Sequence, residues 1–307
     1  MHFSQFFRAA IVLCLSLSAS LLQASDGYQF LASTSYTDIS SADGERLGVE
    51  ALAFWEPVKL DGATPFASAD FYQRVSRISL SVSQQRLSEL NQVRSGRVLS
   101  DADRETKALS LRLSRHDIPV WAELDYTNFD GTDEYTNGLS VDLDSDDAKR
   151  YLLGYFISDD TALRVSYLDA DPKGWGVMLG HLFRMQNEMF LELGLEYQSL
   201  ELDAPELEVV NNSVRNLVPP MTDINIVGAN LSFSPIPALE LSVSYMRKKV
   251  ADDWQANRGL AVSYWFESYF SLSASYLDID YGGNFREFGD SNFYIDAEKG
   301  VSLSLRF

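Results

Sequence analysis

The chain has 307 residues, 46% of them hydrophobic and 12% aromatic, with 44 acidic against 25 basic residues and a formal net charge of -19. That length suits one large domain or two modest ones, and the apolar fraction excludes a disordered chain. The acidic excess excludes nucleic acid as a partner, because phosphate neutralisation requires clustered Lys and Arg.

In chain order, the first segment reads "MHFSQFFRAAIVLCLSLSASLLQASDG". Arg8 precedes an apolar run from Ala9 to about Leu22, with small residues near Ala24, the pattern of a secretory signal peptide over 1–24. A membrane anchor needs about 20 apolar residues, and Ser16, Ser18 and Ser20 break this run. Cys14, the single cysteine of the sequence, lies inside it. Leu13 precedes Cys14, where a lipoprotein site requires a small residue. The mature part, 25–307, is expected to form one domain without thiol chemistry or disulfide stapling.

Beyond Ala24 the recurring signal is period-2 alternation over about ten residues, the mark of a half-buried strand. Leu109, Leu111 and Leu113 alternate with Ser110, Arg112 and Ser114; Leu191, Leu193 and Leu195 alternate with Glu192, Gly194 and Glu196. Leu239, Leu241, Val243 and Tyr245 repeat the device, and Val301, Leu303, Leu305 and Phe307 close the chain with it. Helical periodicity fails on these windows, since residues two apart spread around a helix. The predicted strands are 28–38, 45–56, 68–83, 105–114, 118–128, 147–157, 161–170, 173–185, 188–201, 223–234, 238–249, 254–266, 269–280 and 293–307. That makes about 14, with 12 or 16 open as alternatives, because the segments between 147 and 185 can be merged or split.

Short connections ("HDI", "SDD", "QN", "PIP", "ES") alternate with long ones such as 84–105, 130–147 and 202–222. Long loops gathered at one end, an even strand number and alternating strands together predict an all-β fold, a transmembrane antiparallel up-and-down β-barrel. Closure pairs every backbone group, which lipid demands. Aromatics at both strand ends fit interfacial girdles: Trp55, Trp121, Phe183, Phe190, Phe233, Trp265, Phe266, Tyr269 and Phe270 beside the short turns, and Tyr36, Tyr126, Tyr167, Tyr197, Tyr245 and Tyr276 opposite.

The alternating strands, the leader and the terminal "VSLSLRF" resemble Gram-negative outer-membrane β-barrel proteins. The stretch "FWEPVKLDGATPFASADFYQRVSRISLSVS" is similar to the second and third strands of a porin family of Gammaproteobacteria. The resemblance implies residence in the bacterial outer membrane, contact with its lipid and lipopolysaccharide, and a barrel assembly machinery that reads the last strand. The residues matching that assembly signal are Val301, Leu303, Leu305 and Phe307.

The charged residues sharing parity with Ser and Gly are Arg77, Arg112, Glu123, Asp125, Arg164, Glu192, Glu196, Glu240 and Arg306. An Arg or Lys facing lipid at mid-depth costs about 2–4 kcal/mol, so these groups are expected to line the lumen. Opposed acids and bases across a lumen filter ions by charge. The segment 84–105, with Arg86, Arg94, Arg97, Asp101 and Asp103, is expected to fold into the mouth as a constriction. The segment 130–147 holds 7 acids and no base. Asp142, Asp144 and Asp146 open it like a calcium loop, but Asp147 and Leu153 stand where Gly and Glu belong. That leaves a weak cation-binding candidate and no dedicated metal site.

Catalysis finds little support. His116 sits in a short turn and His181 in a strand, and neither has a spacing that builds a triad or metal site. "GWGVMLG" misses the dinucleotide fingerprint by one position. The sequence therefore predicts a non-enzymatic, cofactor-free channel for passive diffusion of small hydrophilic solutes or ions, mildly cation-preferring. The alternative is a closed barrel acting as an adhesin, surface receptor or structural protein. The sequence leaves the oligomeric state open.

Overall fold

The computed structural model describes residues 27–40, 44–60, 62–88, 92–94, 97–136, 140–170, 172–201, 209–210, 213–214, 223–250, 253–266, 269–282 and 297–307. The expected leader, 1–24, lies outside the described residues. A closed antiparallel barrel of 14 strands accounts for nearly all the rest. Its strands are β1 (Gly27–Ile39), β2 (Gly44–Lys59), β3 (Arg77–Leu87), β4 (Arg97–Arg115), β5 (Ile118–Tyr135), β6 (Ser140–Ser158) and β7 (Thr161–Asp169). They continue as β8 (Lys173–Arg184), β9 (Phe190–Glu201), β10 (Asp223–Ile236), β11 (Leu239–Val250), β12 (Asp253–Phe266), β13 (Phe270–Gly282) and β14 (Ala297–Arg306). Each strand pairs with its sequence neighbours, and β1 closes on β14 from Leu31↔Arg306 to Ile39↔Glu298. The Phe307 carbonyl accepts from the Gln29 and Phe30 amides at 2.8 and 3.0 Å, so pairing runs through the last residue of the seam.

The sidedness follows the sequence parity. Leu80, Leu153 and Leu260 point outward with more than half their surface exposed, among a belt of other exposed apolar side chains. An apolar belt of that extent around a closed barrel is a lipid-facing surface. The inward parity carries Ser, Gly and the charged residues.

Three expectations are corrected. Strand three begins at Arg77 rather than 68: residues 62–76 form turns and a one-turn helix, α1 (Ala69–Tyr72). The residues of 84–105 and 130–147 expected to be loops are mostly strand. β3 pairs β4 out to Leu87↔Ala102, and β5 pairs β6 out to Glu134↔Ser140. Apolar alternation fades there because these hairpin ends have no lipid to face, and cross-strand polar pairs hold them instead. Arg104 donates to buried Asp133 at 2.5 Å, and Arg86 to Asp103 at 3.3 Å. Finally, Trp121, Phe190 and Trp265 are buried inside the barrel and belong to no outer girdle. Trp55, Phe183, Phe266 and Tyr269 are exposed at the short-turn end as expected.

Candidate channel lumen

The connection from β2 to β3 does not stay at the rim. Phe66 N–H donates to the Pro237 carbonyl at 2.9 Å, in the turn between β10 and β11, which lies across the barrel. Gly62 supplies the positive φ of 77° that starts this path. The chain then returns through α1 to Arg77. Ala69, Asp70, Tyr72 and Val75 are buried on the way.

The inward aromatics receive this segment. The Phe71 ring lies 5.3 Å from both Trp121 and Phe156 and 5.2 Å from Tyr72, edge-on to Trp121 and Tyr72. Tyr72 packs with Leu182 and Phe190. Arg306 lies over Trp265 at 3.4 Å and Tyr28 at 4.4 Å, and donates to the Phe66 carbonyl. Gly154 makes room for this packing, since a Cβ there would overlap the Trp121 indole.

Charge completes the docking. Asp70 Oδ2 accepts from Arg77 at 3.1 Å and from Arg112 at 3.2 Å. Arg112 also reaches Glu123 at 3.3 Å, Arg77 reaches it at 3.5 Å, and Ser110 donates to it at 3.1 Å. Two guanidiniums and two carboxylates thus form a compact, nearly neutral cluster. Such geometry offsets the desolvation of buried ions because Asp70 Oδ2 and Glu123 Oε1 each face two donors. At the segment's end Arg74 donates to Asp159 at 2.8 Å and lies 4.4 Å over the Phe156 ring. Residues 62–76 are therefore a plug, packed across the lumen at the short-turn end.

On the inner side of the plug the wall leaves a cavity of about 600 Å³, bounded by Phe71, Arg112, Arg164, Glu192 and Glu196. Inward glycines keep it open: a Cβ at Gly180 would meet nothing within 4 Å.

The sequence-predicted lumen residues divide as follows. Arg77, Arg112 and Glu123 join the plug cluster. Arg164, Glu192 and Glu196 line the cavity. Glu240 sits half-buried beside Ser232. Arg306 holds the plug. Asp125 accepts from Arg150 at 2.8 and 2.5 Å, an inward partner the sequence reading did not single out. Asp101 and Asp103 lie on β4, opposite Glu134 and Thr132, and the Arg94 and Arg97 side chains lie outside what is described. The described residues of 84–105 thus lie in the ladder, and the lumen is filled instead from 62–76. Asp142 and Asp144 likewise have undescribed side chains, while Asp146 accepts from the Asp147 amide at 2.9 Å. Among the described residues no acid, His or Cys cluster could hold a metal ion. His181 faces outward, its Nδ1 2.7 Å from the Thr161 hydroxyl.

Asp70, Phe71 and Tyr72 were missed. The signal was present in the parity of the rings: Trp121 shares it with Glu123, Phe190 with Glu192, and Trp265 with Ser263. Large aromatics on the inward face at one end require an apolar cover.

Closed strands, an outward apolar belt and a polar lumen define a transmembrane β-barrel of the bacterial outer-membrane type. Among solved structures, the outer membrane protein Omp33 of Acinetobacter baumannii is similar over 92% of this chain and 100% of its own, at 12% identity and a TM-score of 0.58. The Pseudomonas putida toluene transporter TodX is similar over 92% and 90%, at 12% identity and a TM-score of 0.48. The KdgM porin is similar over 90% and 99%, at 8% identity and a TM-score of 0.40. At these identities the likeness is one of fold. No family model matches the sequence, and no curated protein matches it.

Proposed function

We propose that the chain is a porin-like outer-membrane channel for small hydrophilic solutes or ions, occluded in this conformation by residues 62–76. One observation carries the reading. The barrel wall itself leaves a charged cavity, and among the described residues one segment, tethered at both ends, packs across it. An eight-stranded barrel can fill its interior with its own side chains, and a 14-stranded one encloses more space than that. The acidic excess of the chain supports a mild cation preference, because a negative lumen concentrates cations. Residues 1–24 are proposed to direct export, and Val301, Leu303, Leu305 and Phe307 to be read by the assembly machinery. The chain is proposed to act without an enzymatic activity of its own.

Planar-bilayer conductance of refolded protein tests this. Removing residues 63–73 should convert rare or small openings into a persistent, larger conductance, whereas removing 88–96 should change it little. If the 63–73 deletion conducts no better than the intact chain, the barrel is closed by its walls and the receptor or structural reading takes its place. A reversal potential favouring anions across a salt gradient would overturn the proposed selectivity.

A further inference from the structure

The plug cluster leaves three charged cavity groups without an ion pair among the described residues, Arg164, Glu192 and Glu196, of which Glu192 lies against Tyr72 and Ser68 of the plug. Arg112 and Arg77 are neutralised by Asp70 and Glu123. Arg164 is not. Its contacts are the Met178 sulfur, to which it donates, and the Phe71 ring at 5.6 Å. Among the described residues no carboxylate lies within ion-pair distance of it. Glu196 is its counterpart: it forms no ion pair among the described residues and lies against the bare backbone of Gly228.

The ladder places the two at one level. Arg164 pairs with Met178, and Met178 pairs with Glu196. With strands about 4.8 Å apart, their Cα atoms stand roughly 10 Å from each other across one intervening strand. Both line the same cavity of about 600 Å³. A half-buried guanidinium without a counter-ion favours a carboxylate, which it binds in a two-pronged hydrogen-bonded fork. A half-buried carboxylate without a donor favours an ammonium. A ligand carrying one charge alone would satisfy one group and face the other with like charge.

We infer that this cavity binds small zwitterions of the α-amino acid class, with Arg164 holding the carboxylate and Glu196 the ammonium. The inference rests on the reading of the lumen as a solute path and names what that path selects. The neighbouring glycines set the size limit. Gly180 faces open space beside Arg164, and Asn230 lies over Gly194 and lines the same cavity.

The test is calorimetric titration of the refolded barrel in detergent with L-glutamine, N-acetyl-L-glutamine and L-glutaminamide. L-Glutamine should bind saturably, and each analogue, lacking one charge, should bind at least tenfold more weakly. Arg164→Gln and Glu196→Gln should each cost at least tenfold. Gly180→Leu, which keeps both charges and fills the space, should do the same, and circular dichroism with heat-modifiable mobility should report a folded barrel for all three. Equal binding of either analogue, or unchanged binding in both charge variants, overturns the proposal. Liposome swelling separates the two readings. Solute flux without saturable L-glutamine binding refutes the site and leaves the channel. Binding without flux upholds the site and refutes the channel.

Discussion

Phe71→Ala is the sharpest perturbation of the plug, because it alters no barrel strand. The ring lies within 5.3 Å of Trp121, Phe156 and Tyr72, and Arg112 lies 5.4 Å over its face. Each aromatic pair contributes about 0.5–1.5 kcal/mol beyond its buried area; truncating a fully buried Phe to Ala costs about 3–5 kcal/mol, and the partly buried Phe71 belongs at the low end. Taking about 3 kcal/mol as the loss in docking, the ratio of seated to displaced plug should fall by about two orders of magnitude, at 1.4 kcal/mol per tenfold. The barrel should keep its heat-modifiable mobility and its strand content. Single-channel recording in planar bilayers measures the seated fraction directly as closed time. An open probability indistinguishable from that of the intact chain would refute the reasoning, since the ring would then carry no part of the closure.

Three other outcomes follow from the same geometry. Gly154→Val should overpack the wall against Trp121, cost roughly 1–3 kcal/mol of stability, and shift Trp fluorescence to longer wavelength as the indole is pushed toward water; an unshifted spectrum in the folded variant would count against the contact. Arg115 holds the Asp117 carboxyl below its ordinary range by hydrogen bonding to it in an exposed turn, at 2.7 and 2.9 Å. A depressed carboxyl contributes above its unfolded value and loses that contribution as pH falls through the lowered one, so Arg115→Ala should return its carbon-detected NMR titration to the ordinary range. Deleting Phe307 removes the terminal seam pairs to Gln29 and Phe30 and should lower the yield of heat-modifiable barrel, whereas Phe307→Ala should refold in detergent yet assemble poorly in cells.

Strand parity made most of the architecture legible. Lipid on one side and a polar lumen on the other impose opposite requirements on alternate residues, so Leu191 and Glu192 sort themselves without tertiary information. The hairpin ends beyond the membrane escaped that logic. At Asp133 and Arg104 the ladder persists because backbone pairing and an ion pair hold it, and neither leaves an apolar pattern. The plug escaped for a different reason. Its anchors, Trp121 and Trp265, read as girdle residues when sorted by distance from a turn, and only their parity with Glu123 and Ser263 turns them inward. Asp70 has no signature at all in its own neighbourhood, because its partners Arg77 and Arg112 come from strands that meet only when the sheet forms.

Arg306 ties the plug to the last strand of the barrel, and this bears on the order of folding. The guanidinium that caps Phe66 arrives on β14, whose partner is β1, so the plug cannot gain its full contacts until the cylinder has been zipped shut. Seating the plug and sealing the membrane pore are then steps of one event. A chain whose β1–β14 seam fails to form would therefore lack the Arg306 contact to Phe66 as well.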